Sequence, residues 1–353
     1  MKLITTASYY GTGSSAITDL LSEYETIHSM GSEFECRIAH DYHGISDLEY
    51  YLVENPHRHN SSIAIRDFQR LIDLYGRKRS IRLENYENAF GPDFYRCIDQ
   101  YIDQIAPGHF QGGCHLDLYR MGDDALSWIK VKNRLFQKFS RHGLFTPTAD
   151  DDSFIEHRVS PLERIQKSQT TYITYPREIF LDATKTLFDN LFSPFDDGKT
   201  EGLLVDQLVP PSNTMRYIRY FRDLQVICVD RDPRDLFYLE TRRWKSRVIP
   251  DQVDEFISWF QATRAHLKYE QDDPQRVMRI HFEDLVLHYD ACVNRIERFL
   301  NLDPSTHTRC FESFDPQISR KNIGKWKNDP SILADIQLIE RKLPEFIQYT
   351  PFE

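Results

Sequence analysis

Four short apolar runs, Leu3 to Ala7, Leu203 to Leu208, Gln225 to Val229 and Val277 to Phe282, each give way to polar or turn-forming residues. That is the pattern of strands buried on both faces. Between them the period lengthens to that of helices. Ala16, Ile17, Leu20, Leu21 and Tyr24 share one helical face after the first run; Val253, Phe256, Ile257 and Phe260 share a second, and Val293, Ile296, Phe299 and Leu300 a third. Strands alternating with amphipathic helices predict an α/β fold with a mostly parallel central sheet flanked by helices. In such a sheet the ligand crevice lies beyond the carboxyl ends of the strands, so the residues after Ala7 and Val229 gain weight. The stretch from about Glu33 to Thr200 breaks the alternation. Rich in Tyr, Phe, His and Arg, it predicts a mainly helical insertion that covers an acceptor site.

The 353 residues contain no repeat and no low-complexity linker, so one domain with a long insertion is the economical reading. No run approaches the roughly 18 apolar residues of a membrane span, and the start lacks a basic segment followed by an apolar one. A cytoplasmic protein is expected. Cys36, Cys97, Cys114, Cys228, Cys292 and Cys310 are scattered without a C-x-x-C pair, which argues against a disulfide framework or a zinc knuckle; no metal site is expected. A net charge of −10 disfavours a nucleic-acid or anionic-membrane partner unless a local basic face overcomes it. Two basic stretches stand out, Arg216 to Arg247 and Arg320 to Lys327, and each coincides with a turn-forming motif.

Three motifs carry candidate chemistry. Gly11-Thr12-Gly13-Ser14-Ser15-Ala16 lies between a strand and a helix, where backbone N–H groups, the helix dipole and hydroxyls can cradle a phosphate. A Gly-Ser turn also starts helices for purely structural reasons. The Walker A pattern demands Lys after the last glycine and Ser14 stands there, whereas the dinucleotide pattern G-x-G-x-x-A fits, with Glu33 twenty residues beyond Gly13. Next, Arg231-Asp232-Pro233-Arg234-Asp235 follows the third apolar run. Pro233 can open a helix and Arg231 can present a fixed fork to phosphate, against the alternative of an Arg/Asp salt-bridge corner. Finally, Ser319 to Lys327 combines Arg320, Lys321, Gly324 and Trp326, which suits a loop folding over a phosphate as well as a plain solvated loop.

Taken together and in this order, the motifs resemble those of the sulfotransferase superfamily. Gly13-Ser14-Ser15-x-Ile17-x-x-Leu20-Leu21 is similar to its 5′-phosphosulfate loop, Arg231-x-Pro233-x-Asp235 to its 3′-phosphate motif, and Arg320 through Lys327 to its late R-K-G-x-x-G-x-W-K loop. Phe282-Glu283-Asp284-Leu285, followed by a helix ending in Phe299-Leu300, also falls in the family position. The resemblance covers about residues 1–35 and 203–328, with about 36–200 as the insertion. It implies a nucleotide-kinase-like P-loop fold and 3′-phosphoadenosine 5′-phosphosulfate as sulfuryl donor, bound by Gly11, Thr12, Gly13, Ser14, Ser15, Ala16, Arg231, Thr241, Arg320, Lys321 and Gly324. It implies no metal. The dinucleotide reading predicts nothing at Arg231 or Arg320. Three departures are visible: Gly11 stands where the family carries Lys or Arg, so another cation must substitute; Leu239 stands where it carries a phosphate-binding Ser, leaving Thr241 or a backbone group; and the late loop is one residue shorter, with Asn322 for a glycine.

Sulfuryl transfer needs positioning, preorganised donors and a base for the acceptor hydroxyl. Relatives acting on glycans in the Golgi resemble this chain in carrying a Glu about twenty residues after the loop, which implies Glu33 as the base with Glu35 as rival; small-molecule relatives use a His, for which His40 or His43 stand as candidates. A carbohydrate acceptor is expected from the aromatic insertion and the basic run Arg77-Lys78-Arg79 with Arg82. A sterol-like alcohol is the alternative acceptor, and a nucleotide-binding scaffold without catalysis the alternative function.

Overall fold

The computed structural model describes residues 1–76, 85–112 and 169–349, with the isolated positions 127, 128, 131, 134 and 135. The basic run Arg77-Lys78-Arg79 with Arg82, and Cys114, lie outside the described residues.

A five-stranded, wholly parallel sheet forms the centre. Its strands are β1 (Lys2–Ser8), β2 (Ile27–Ser29), β5 (Gly202–Leu204), β6 (Leu224–Asp230) and β7 (Val277–His281), in the spatial order β2-β5-β1-β6-β7. After β1 the chain moves to one side of the sheet; after β5 it crosses β1 and builds outward on the other. The direction reverses between β1 and β6, so a crevice opens at their carboxyl ends. Ser8 pairs with Val229 and Asp230 with His281, which brings those ends level.

Helices cover both faces, and β6 shows why. Ile227 and Val229 point into a core shared with Ile17, Leu20, Leu21, Ile296 and Leu300, whereas Val226 and Cys228 point to the other face. There they meet the insertion, whose helices Arg58–Gly76, Phe94–Ile105 and Phe180–Phe192 contribute Phe68, Phe94 and Phe188 to the same core. A third cluster joins the helix Val253–Arg264 to Leu333–Lys342 through Phe256, Phe260, Ile336 and Ile339, with Trp326 among them.

Several sequence expectations need correction. The run Leu203 to Leu208 is a strand only to Leu204: Asp206 makes an isolated bridge with Glu35, and Gln207 turns the chain with a left-handed φ of 57°. Phe282 opens the helix Phe282–Leu287 instead of closing a strand. The edge strand β2 was not expected. Nor was the antiparallel pair of β3 (Gly108–Gly112) and β4 (Gln169–Ile173), set among the helices of the described part of the insertion. Of the cysteines, Cys36, Cys97, Cys228 and Cys292 are buried and Cys310 is exposed.

Candidate functional site: a cleft at the β1–β6 switch point

The loop after β1 is fixed to the loop after β6 by Thr12, whose hydroxyl donates to the Val229 carbonyl (2.7 Å) and accepts from Tyr9 N (3.2 Å). Gly13, at φ 104°, then starts the helix Ser14–Leu21 without a side-chain cap, which leaves its first N–H groups facing the cleft. Both glycines are dictated by contact as well as by backbone. A Cβ on Gly13 would stand 2.7 Å from the Phe282 ring, and one on Gly11 (φ 70°) 2.6 Å from the Trp244 ring.

Arg231 follows β6. Its N–H is held by Asp230 (2.8 Å), which also takes the guanidinium of the buried Arg264 (2.7 Å). The Arg231 guanidinium lies 4.4 Å over the Phe282 ring, the same ring that covers Gly13, so one phenyl group separates the loop from the guanidinium. One Nη donates to the Asn322 carbonyl (3.0 Å), while Nε is buried with no hydrogen-bond partner among the described residues. An orphaned guanidinium N–H in a cleft fits an absent anion. The salt-bridge corner exists too, one residue pair further on: Arg234 binds Asp232 through Nε (2.9 Å) and Nη2 (2.8 Å) and is fully enclosed. The motif therefore divides into a structural half and a cleft-facing half.

Asp235, the last residue of that motif, ties in the late loop. Its buried carboxylate accepts from Gly324 N (2.7 Å) and from Tyr349 Oη (2.9 Å). Around Asn322 the cations gather: besides Arg231, Lys325 Nζ reaches Asn322 Oδ1 at 3.2 Å and Arg243 Nη1 at 3.5 Å. Partial burial, then the charges of Arg243, Lys321 and Arg231, push the Lys325 ammonium below its usual range, as in a site built to receive negative charge. Burial also depresses Arg231, and it raises the neighbouring carboxyls, Asp235 to about 6 and Glu283 to about 8.

These elements line one cleft of about 390 Å³, bounded by Gly11, Gly13, Ser15, Arg231, Trp244 and Asn322, with Phe282, Phe311 and Phe314 among its apolar walls. Trp244 and Phe311 present exposed aromatic surface. The Phe311 segment is anchored by the buried Glu23, which accepts from Ser313 N (2.8 Å) and Phe314 N (2.9 Å) and meets His307 Nε2 (2.8 Å).

Of the residues expected at a nucleotide, Gly11, Gly13, Ser15, Ala16 and Arg231 line the cleft. Thr12 is enclosed and structural. Ser14 Oγ accepts from Ser8 and from the Gln207 amide (3.3 Å). Arg320 ends the helix Pro316–Arg320 and, like Lys321, is exposed; Gly324 is buried beneath the loop. Thr241 is not brought in: its hydroxyl donates to the Phe237 carbonyl (2.8 Å) one helical turn back. Trp244, five residues beyond Leu239, takes the cleft position instead, delivered by the π-helical turn Glu240–Trp244.

The base candidates lie near the carboxyl end of β5. Glu33 is exposed, makes no hydrogen bond or ion pair among the described residues, and its charge helps raise Asp19, which lines the cleft. Glu35 is paired with Arg37 (2.5 Å). His40 Nε2 is bonded to the Gln207 carbonyl (2.8 Å), and burial holds its pKa low. Asp206, enclosed beside the Thr6 hydroxyl, is pushed up to about 7 by burial and then by Glu35 and Asp19.

No protein-family model matches the chain, and no curated protein matches it. Among solved structures it is similar, over 99% of its length and 95% of theirs, to the sulfotransferase domain from the Synechococcus PCC 7002 olefin synthase (12% identity, TM-score 0.40). It is similar over 99% of its length to the sulfotransferase domain from the curacin biosynthetic pathway, of which 98% is covered (13% identity, TM-score 0.40). A sulfotransferase from Mycobacterium tuberculosis H37Rv matches over 97% of this chain and 76% of its own (13% identity, TM-score 0.32).

Proposed function

We propose that the chain is a sulfotransferase that takes the sulfuryl group of 3′-phosphoadenosine 5′-phosphosulfate and passes it to a hydroxyl of a carbohydrate. One observation carries this reading: the β1 loop, Arg231 and Asn322, more than 300 residues apart at the extremes, line a single cleft at the sheet's switch point. Each belongs to one of the three motifs whose order in the chain resembles the sulfotransferase pattern.

On this reading the backbone from Gly11 to Ala16 and the amino end of the following helix hold the 5′-phosphosulfate, and Arg231, Arg320, Lys321 and the Gly324 turn hold the 3′-phosphate. The free Nε of Arg231 supplies a donor that the engaged Thr241 hydroxyl does not. Trp244 and Phe311 offer aromatic faces to the base. The acceptor oxygen forms a bond to sulfur as the bond from sulfur to the bridging phosphate oxygen breaks; the hydroxyl proton passes to Glu33, and adenosine 3′,5′-bisphosphate leaves. Positioning and fixed positive charge do most of this work. Of the four base candidates Glu33 is favoured, because Glu35 and His40 are already engaged by Arg37 and Gln207, and His43 stands under the Tyr42 ring with Nδ1 3.7 Å from Asp67.

Calorimetry with adenosine 3′,5′-bisphosphate, NAD and ATP tests the nucleotide. The bisphosphate should bind, and Arg231→Ala should weaken it by about 2–5 kcal/mol, the cost of removing a buried charge partner. Binding of NAD or ATP in its place refutes the reading. Labelled-sulfate transfer to carbohydrates tests the chemistry: Glu33→Gln should lower kcat by on the order of 100- to 10,000-fold with nucleotide affinity kept. Undiminished turnover in Glu33→Gln, with loss in His40→Asn, moves the base to His40.

A further inference from the structure

The described residues contain two π-helical turns, and each delivers aromatic side chains to a pocket. Glu240–Trp244 brings Trp244 to the donor cleft. The other, Tyr50–Glu54 in the insertion, brings Tyr50 and Tyr51 to a separate cavity of about 260 Å³. An α-helix widened by a residue tends to be retained where a side chain must be re-aimed for function.

This cavity has further marks of a binding site. Tyr42, 78% exposed, covers the His43 ring at a centroid distance of 3.8 Å, and His43 holds a left-handed φ of 68° although it is not glycine. Its backbone N–H is fixed by the Asp47 carboxylate (2.6 Å). Tyr50 and Tyr51 stand edge to face at 5.0 Å, and the Tyr51 carbonyl is held by Ser61 Oγ (2.9 Å). Asp47, Asn60, Ile63, Ala64 and Asp67 complete the lining; Asp67 is paired with Arg70 (3.0 Å) and stands 3.7 Å from His43 Nδ1. Aromatic faces beside carboxylates and an amide are complementary to a pyranose ring, whose C–H face stacks on tyrosine while its hydroxyls donate to oxygen acceptors. A lining that holds two carboxylates and, among the described residues, no Lys or Arg disfavours a sulfated or uronate chain. The volume also lies below the roughly 300–1,000 Å³ usual for drug-sized apolar ligands, which disfavours a sterol.

The cavity is connected to the donor loop. His40, three residues before His43, bonds the Gln207 carbonyl, and the Gln207 amide bonds Ser14 Oγ at the start of the loop helix.

We infer that the pocket of Tyr42, His43, Asp47, Tyr50 and Tyr51 is a subsite for a neutral pyranose unit of an oligosaccharide acceptor. This rests on the sulfotransferase reading only for the word acceptor; the sugar site stands on its own geometry. The test is saturation-transfer NMR of the full chain with maltohexaose, cellohexaose, chitohexaose and a hyaluronan hexasaccharide, alongside calorimetry with adenosine 3′,5′-bisphosphate. At least one of the first three should bind, about tenfold more weakly in Tyr42→Ala and in Tyr51→Ala, as loss of one stacking face implies. Circular dichroism and nucleotide affinity should be unchanged in both variants, since the rings are exposed. The inference is overturned if none of the three neutral sugars binds, if hyaluronan binds in preference, or if neither tyrosine matters. Nucleotide binding without sugar binding refutes the subsite and spares the donor reading; the converse spares the subsite and refutes the donor.

Discussion

Replacing Gly11 tests how closely the Trp244 ring packs on the loop after β1. In Gly11→Ala the new residue must hold φ 70°, which costs an L-residue about 1–2 kcal/mol. Its Cβ would also lie 2.6 Å from Trp244 Cζ3, and 3.4 Å from Leu236 Cδ1 behind it. Leu236 is enclosed in the core, so the indole must give way. Trp244 is 42% exposed and free to swing outward, but doing so uncovers a ring face worth on the order of 1–2 kcal/mol. The sum is about 2–4 kcal/mol of lost stability in urea denaturation. A double-mutant cycle separates the two parts: in a Trp244→Ala background the cost should fall to the backbone share, about 1–2 kcal/mol, leaving a coupling of similar size. Equal costs in both backgrounds would show that the ring is not the obstacle, and a neutral Gly11→Ala would refute the argument altogether. The same logic predicts that Gly11→Lys, although it adds a positive charge to the loop, lowers nucleotide affinity. Tighter binding in that variant would mean that the loop is open to a side chain after all.

Glu283, raised to about 8 by burial next to Arg231, binds a proton in the folded state that the unfolded chain releases near its ordinary range. Its contribution to stability is therefore present at the acid side and lost as pH rises through about 8, and nucleotide affinity should fall over the same interval because an ionised Glu283 competes for Arg231; Glu283→Gln should flatten both profiles, measured by denaturant titration and calorimetry. Asp235→Asn removes the charge that holds Gly324 N and Tyr349 Oη, and should weaken nucleotide binding about tenfold or more by calorimetry while leaving neutral-sugar binding intact. Glu23→Ala, which frees the backbone N–H groups of Ser313 and of the buried Phe314, should cost about 3–5 kcal/mol in urea denaturation; an unchanged midpoint would deny Glu23 its anchoring role.

The sheet was legible where strands are buried on both faces, because Leu3 to Ala7, with its buried Thr5 and Thr6, and Val226 to Val229 then carry no charged residue and no alternation. It was illegible where packing is one-sided or short. β2 is three residues with an exposed His28 in the middle, and leaves no period to read. β5 ends because Gln207 takes a left-handed backbone that no glycine announces. The β3–β4 pair joins residues whose side chains are mostly half-exposed, so alternation is faint.

At the site, sequence spacing located groups whose place follows from the end of a strand, Gly13 and Arg231, and failed for groups placed by helical geometry. Counting from Arg231 to Thr241 assumes a regular helix. The turn Glu240–Trp244 is a π-helix, which re-aims the side chains and brings Trp244 to the cleft while the Thr241 hydroxyl stays on its own helix. That same turn accounts for the departure at Gly11. With the Trp244 ring 2.6 Å from where a Cβ at residue 11 would stand, a side chain there must displace the indole, and the cations gather instead at Asn322, which Arg231, Arg243 and Lys325 all reach. The glycine, the π-turn and the lysine after Gly324 look unrelated in the sequence. In the fold the π-turn sets the indole against Gly11, while Lys325 joins Arg231 and Arg243 around Asn322.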